Sequence, residues 1–150
     1  MQVKDIKDEL GLRHWLKEHL TTKARIQWVE PSIYGSSIGS PDCHIYMCSE
    51  KISLELKYWE EKRRGILCKV RPVQRRWHHV NFASGVLCGV LACVETKSSN
   101  KYIILVRGDH VPKRDYADDP DSGCYGGKLD YEVVDEVSLN TFLFTTGFWK

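Results

Sequence analysis

Ser40-Pro41-Asp42-Cys43-His44-Ile45-Tyr46-Met47, Cys48-Ser49-Glu50-Lys51 and Ile52-Ser53-Leu54-Glu55-Leu56-Lys57 form the continuous stretch that decides the fold of this chain. Two apolar-rich runs flank a polar turn, the pattern of a β-hairpin. A turn centred near Ser49 sets Asp42 across from Leu56, close to Glu55 and Lys57. Side chains alternate along a strand, so Leu54 and Leu56 share one face while Ser53, Glu55 and Lys57 share the other. The leucine face belongs to a core. The opposite face gathers two carboxylates and an ammonium at one spot.

Two carboxylates this close repel and titrate together unless a cation sits between them. Mg²⁺ suits the position, because it takes hard oxygen ligands, needs only one or two carboxylates, and completes its shell with water and phosphate. A lysine two residues beyond the second carboxylate would reach an attacking water or a phosphate oxygen. A bound metal polarises a phosphoryl group and makes water more acidic, the two tasks of phosphodiester hydrolysis. A Glu-x-Lys on an exposed strand is ordinarily a structural pair. Pro41-Asp42 at hairpin distance is what sets this one apart.

Working outward, the remaining elements alternate in type. Residues 4–20 read as a helix, with Ile6, Leu10, Leu16 and Leu20 near helical spacing and Asp5, Asp8 and Glu9 in its early turns. Ile26–Val29 reads as a strand and residues 32–40 as the loop that delivers the chain to Asp42. Residues 58–71 read as part strand, part loop. Residues 73–83 read as a helix begun just after Pro72. Val86–Val94 is a continuous apolar run suited to a buried central strand, with Tyr102–Val106 as its neighbour. The expectation is a single α/β domain, a central mixed β-sheet flanked by helices. Its core spans about residues 5–107, followed by an acidic loop and extension over 108–150.

With 150 residues, the chain suits one sizeable core rather than two. Charged residues make up 28% and hydrophobic ones 42%, the balance of a folded, soluble protein. No apolar run approaches the roughly 20 residues that span a bilayer. The start, Met1-Gln2-Val3-Lys4-Asp5, lacks an apolar signal segment, so a cytoplasmic location is expected. The six cysteines fit no zinc-knuckle spacing: Cys43/Cys48 and Cys88/Cys93 stand five apart, on opposite faces of any strand. They read as reduced, mostly buried thiols.

Charge is informative by region. From Lys62 to Val94 there is no acid, but there are Lys62, Arg63, Arg64, Lys69, Arg71, Arg75 and Arg76, with Trp77, His78 and His79 among them. Such a patch beside a metal site would bind a phosphate backbone without reading sequence, and His78 is included among its contacts. The stretch Asp115–Gly123 is acidic and reads as a solvated surface loop rather than a metal site. Leu139–Trp149 is apolar enough to pack on the body or to form a dimer contact.

Pro41-Asp42, twelve intervening residues and Glu55-Leu56-Lys57 resemble the motif of the PD-(D/E)XK nuclease superfamily. Gly39-Ser40 leading into Pro41-Asp42 and the segment Val70–Trp77 are similar as well. Within that family the chain looks like the small Holliday-junction resolvases and the VRR-NUC type nucleases, whose motif strand is followed by a helix-opening glutamine, an aromatic and a Gly-containing strand entry. Here these are Gln74, Trp77 and Ser84-Gly85-Val86. The resemblance covers about residues 5–107 and implies a restriction-endonuclease-like core.

The resemblance also implies roles. Asp42 and Glu55 would ligate Mg²⁺, with Mn²⁺ able to substitute, and the backbone carbonyl of Leu56 would be a further ligand. Lys57 would position water and stabilise developing negative charge. Gln74 would orient the site or touch the substrate. The family often adds a glutamate from the first helix, which is Glu9 as first choice and Glu18 as second. The implied activity is metal-dependent hydrolysis of branched or duplex DNA by a homodimer inside the cell, a phage-encoded enzyme acting in its host included. The alternatives are a nuclease-like module that binds nucleic acid or inhibits a protein without catalysis, and a nuclease for RNA.

Overall fold

The hairpin at the centre of the sequence is the organiser of the sheet. In a computed structural model, which describes residues 1–30, 39–63, 65–112 and 129–150, β2 (Cys43–Met47) and β3 (Glu50–Lys62) pair antiparallel around a turn at Cys48-Ser49. Cys48 takes a left-handed conformation there, φ 56°. Because the turn has two residues, Cys43 faces Leu54 and the register sets Asp42 level with Glu55, one residue from the expected Leu56. The Asp42 side chain recovers that residue, since the Leu56 N–H donates to Asp42 Oδ2 at 2.7 Å.

β3 is longer than the sequence pattern suggests. It continues through Tyr58 and Trp59 to Lys62, where β4 (Gly65–Leu67) folds back on it antiparallel. On its other edge β3 pairs in parallel with β5 (Leu87–Glu95), from Ile52 opposite Leu87 to Glu60 opposite Glu95. Antiparallel β6 (Lys101–Arg107) and β7 (Glu132–Val134) follow, and β1 (Arg25–Trp28) lies outside β2. The result is a single-domain α/β fold whose mixed sheet has seven strands among the described residues, ordered β1-β2-β3-β5-β6-β7 with β4 beside β3.

Each face of the sheet has its own core. On one, Leu54, Leu56, Leu91, Cys93, Ile103 and Leu105 meet Leu12, Trp15 and Leu16 of α1 (Glu9–His19), together with Leu139, Leu143 and Trp149 from the C-terminal segment. The C-terminal run thus packs on its own body, through α3 (Leu139–Phe144) and the Trp149 Nε1–H bond to Leu143 O at 3.0 Å. On the other face, Trp59, Val90, Ala92, Val94, Ile104 and Val106 form a second cluster. There α2 (Pro72–Ala83) buries Gln74 and His78.

The first helix begins later than expected. A separate 3-10 turn covers Val3–Asp5, and Asp8 then caps α1 by accepting the Gly11 N–H at 2.7 Å. This shifts the apolar face to Leu12, Trp15 and Leu16, and Leu10, which lies near helical spacing with Ile6, Leu16 and Leu20, is 58% exposed. Of the five cysteines described, Cys43, Cys68, Cys88 and Cys93 are buried and Cys48 is exposed. Residues 32–38 of the loop expected over 32–40, Arg64 and the acidic stretch Asp115–Gly123 lie outside the described residues. Among those described, no helix is long and apolar enough to cross a membrane.

Gly89 tests the tight pairing of β5 with β6. A Cβ at this position would run into the carbonyl of Val106, which is backbone and cannot swing aside. Gly89→Ala is expected to cost about 1–3 kcal/mol in urea unfolding, the range for overpacking a dense interior. An unchanged midpoint would mean that β5 and β6 do not approach this closely.

Candidate active site

Three elements deliver the polar residues to one place. β3 presents Glu55 and Lys57 on the face away from the leucines, with Glu55 only 2% exposed. The loop entering β2 delivers Asp42, fixed by its backbone as well: its N–H donates to Leu54 O at 3.0 Å and its carbonyl accepts from Val29 N–H at 2.9 Å. The crossover helix α2 supplies Gln74. The Gln74 Oε1 atom accepts the Arg71 N–H at 3.1 Å, which satisfies an open donor at the helix start. That bond turns the amide so that Nε2–H donates to Glu55 Oε1 at 2.7 Å.

The Glu55 carboxylate is left half-satisfied. Lys57 Nζ stands 3.6 Å from the same Oε1 atom, and among the described residues no donor reaches the buried Oε2, which leaves the Asp42 carboxylate as a partner only through a shared proton. Burial first, then the neighbouring Asp42 charge, pushes the Glu55 pKa up to about 8, with Lys57 opposing. A proton on Oε2 would be shared with Asp42; without one, two carboxylates face each other in a poorly solvated place. The pair therefore calls for a proton or a cation between its members.

The donor set fits a hard divalent cation. Asp42 has Oδ1 beyond the bond its Oδ2 makes to Leu56, Glu55 has the orphaned Oε2, and Leu56 is among the residues that line the cleft. β2 pairs with β3 only as far as Leu54 and β4 resumes at Glu60, so neither strand covers Leu56. Backbone groups alternate along a strand, so Leu56 O points to the same edge as Leu54 O, toward Asp42. Among the described residues no three His, Cys, Asp or Glu side chains form a ready cage. Mg²⁺ does not require one, since two carboxylates plus water and substrate oxygens suffice.

Glu9 joins from the first turn of α1. Partial burial raises its pKa, with Asp42 and Asp8 adding to the shift and Lys57 opposing it, so it stands within electrostatic reach of the site. Glu18 does not: its carboxylate, 51% exposed, binds the Met1 amine at 2.8 Å. Glu9, Leu10, Arg13, Asp42 and Leu56 line a cleft of about 230 Å³, and Arg13 is a residue of this cleft that the sequence pattern did not single out. The signal was available, as Arg13 stands one helical turn from Glu9.

The basic stretch is divided by the fold. Arg71 and Arg75 flank Gln74 at the start of α2, and Arg76 is exposed on the same helix. Lys62 and Arg63 lie at the far end of β3, seven residues or about 23 Å of strand beyond Glu55, and Lys62 pairs with Glu60 at 2.8 Å. Lys69 is exposed on the connection before α2. His78 corrects the sequence reading. It is 0% exposed, so its ring cannot contact a phosphate, and burial, with the His79 and Lys57 charges, pushes its pKa down to about 4. Its position follows from helical spacing: four residues after Gln74, it shares the sheet-facing side of α2.

No model of a known protein family matches this chain, and a search of curated proteins returns no match.

The strained carboxylate makes a pH prediction for the metal-free protein. An unfolded Glu55 ionises near its ordinary 4.5 and the folded one near 8. The folded state thus holds more protons over that interval, and stability falls as pH rises from about 5 to 8. At about 1.4 kcal/mol per unit the full penalty is on the order of 5 kcal/mol. In EDTA, Glu55→Gln is expected to flatten this decline and to exceed wild type in stability at pH 8. An equally steep decline in the variant would contradict the origin given.

Proposed function

We propose that this chain is a Mg²⁺- or Mn²⁺-dependent endonuclease that hydrolyses DNA phosphodiester bonds, with a PD-(D/E)XK type of site. The observation that carries the reading is Glu55, buried beside Asp42 with one oxygen that no donor among the described residues reaches. A purely structural Glu–Lys pair would have both carboxylate oxygens satisfied, since buried polar atoms are nearly always hydrogen-bonded. Here Lys57 is 3.6 Å from Glu55 and 13% exposed, an ammonium kept near the carboxylates without closing on them.

Roles follow from the positions. Asp42 Oδ1, Glu55 Oε2 and the Leu56 carbonyl would hold the cation, with Glu9 reached through water or directly. When bound, the cation supplies Lewis-acid polarisation of a phosphoryl oxygen and a more acidic water. Lys57 Nζ offsets charge that develops on the phosphoryl oxygens during in-line attack. Gln74 keeps Glu55 Oε1 occupied, so that Oε2 is the atom left for the metal. Water oxygen forms the new bond to phosphorus, the bond to the leaving strand breaks, and no enzyme–DNA bond forms. Arg71, Arg75 and Arg76 would follow the phosphate backbone, with Lys62, Arg63 and Lys69 as outlying contacts.

A small endonuclease of this kind suits branched DNA. A junction with two-fold symmetry calls for a homodimer, so dimerisation and an intracellular site of action are part of the proposal. A panel of labelled four-way junction, flap, duplex and single-stranded DNAs, with an RNA counterpart, tests it in Mg²⁺, Mn²⁺ and EDTA. Wild type is expected to cut in metal alone and Asp42→Asn not to cut. Lys57→Ala is expected to lose about 10²–10³-fold in kcat, the effect of removing one preorganised group from the transition state. Binding without cleavage under every metal would instead identify a non-catalytic nucleic-acid module.

A further inference from the structure

Arg13 lies in the cleft beside the carboxylates and has no part in the metal set or in the role of Lys57. Glu9 and Arg13 are four residues apart on α1, so they stand on one helix face, and both border the cleft with Asp42 and Leu56. A cation between a glutamate and an aspartate would ordinarily close an ion pair. Among the described residues no carboxylate comes within 4.0 Å of this guanidinium.

It is held by a ring instead. The guanidinium carbon sits 4.1 Å from the centroid of Trp28. Trp28 ends β1 opposite Cys43, and the next residue, Val29, donates to the carbonyl of Asp42 at 2.9 Å. The brace for Arg13 is therefore built into the strand that also fixes Asp42. Stacking on an indole restrains a long side chain while leaving the edge of the guanidinium, with its N–H donors, open. That edge has a planar fork suited to two oxygens of one phosphate.

The charge balance gives the fork its purpose. Glu9, Asp42 and Glu55 would repel a phosphate strand entering the cleft, and Lys57 is sunk behind them, 13% exposed. A cation at the cleft itself offsets that repulsion where a strand would first meet it. We propose that Arg13, braced on Trp28, is a phosphate-binding residue of the cleft, gripping the non-bridging oxygens of one backbone phosphate next to the bond that is cut. This rests on the nuclease reading and adds a contact that fixes the register of the strand on the metal site.

A duplex or junction cut by wild type in Mg²⁺ is synthesised with each phosphate near the cut replaced in turn by a neutral methylphosphonate. The kcat and KM of wild type, Arg13→Gln, Arg13→Lys and Trp28→Ala are then measured on each, with thermal unfolding as the check on folding. One methylphosphonate position is expected to cost wild type about tenfold in kcat/KM, the value of a charge-assisted contact, and to cost Arg13→Gln almost nothing. Arg13→Gln on the natural substrate should lose a similar factor, and its slope of log kcat/KM against log salt should shrink by about 1. Trp28→Ala should reproduce part of the loss. Should Arg13→Gln fail to fold, Arg13→Lys, which keeps charge and stem but not the fork, carries the same comparison. Wild-type kcat/KM and salt slope in Arg13→Gln, or a wild-type methylphosphonate profile in Arg13→Gln or in Arg13→Lys used in its stead, would overturn the Arg13 assignment and leave the nuclease reading standing. Absence of cleavage by wild type with any metal would overturn both.

Discussion

The parallel pairing of β3 with β5, Ile52–Glu60 against Leu87–Glu95, is the constraint from which the other arrangements follow. Parallel neighbours cannot be joined by a tight turn, and the chain must cross over one face of the sheet before it returns. That crossover carries α2, and it is α2 that lays Gln74 and His78 on the face bearing Ser53, Glu55 and Lys57. A central β3, with β2 on one edge and β5 on the other, puts Glu55 where water hardly reaches. Had β3 been an edge strand, Glu55 would be an ordinary solvated carboxylate and Asp42 an ordinary turn residue. The topology converts a hairpin motif into a buried polar site.

Burying that site has an energetic cost to the fold. A carboxylate in this position raises its pKa and withdraws stability at neutral and higher pH, and a partner charge at 3.6 Å offsets only part of it. Under the proposed function, a cation held by Asp42 and Glu55 would remove their mutual repulsion. Gln74 restricts the geometry further, because its amide is oriented by the Arg71 N–H and occupies one Glu55 oxygen, not both.

Much of this was legible in the residues. Alternation across Ile52–Lys57 gave the two faces of β3, Pro72 marked the start of α2, and the apolar run from Val86 to Val94 identified the central strand. The register was missed by one residue because a two-residue turn at Cys48-Ser49, with Cys48 left-handed, carries no glycine to announce it. The late start of α1 was concealed by competition among Asp5, Asp8 and Glu9, any of which suits a helix start; the bond to Gly11 N–H selected Asp8. β4 and the end of β3 depend on pairing with each other, which periodicity in a polar stretch does not encode. His78 was misjudged because a basic neighbourhood in sequence is not a basic neighbourhood in space: α2 turns it inward while Arg76 faces solvent. Arg13 was within reach of the sequence through its one-turn spacing from Glu9, but its place in the cleft beside Asp42 is a tertiary fact.

Diffraction from Mn²⁺-soaked crystals, recorded near the manganese absorption edge, tests the central claim most directly. The account predicts an anomalous peak between Asp42 Oδ1 and Glu55 Oε2, within bonding distance of Leu56 O, and its loss in Asp42→Asn crystals. A clean map at that position, with Glu55 Oε2 hydrogen-bonded to Asp42 through a retained proton at pH 8, would contradict it and make the carboxylate pair a structural feature of the sheet.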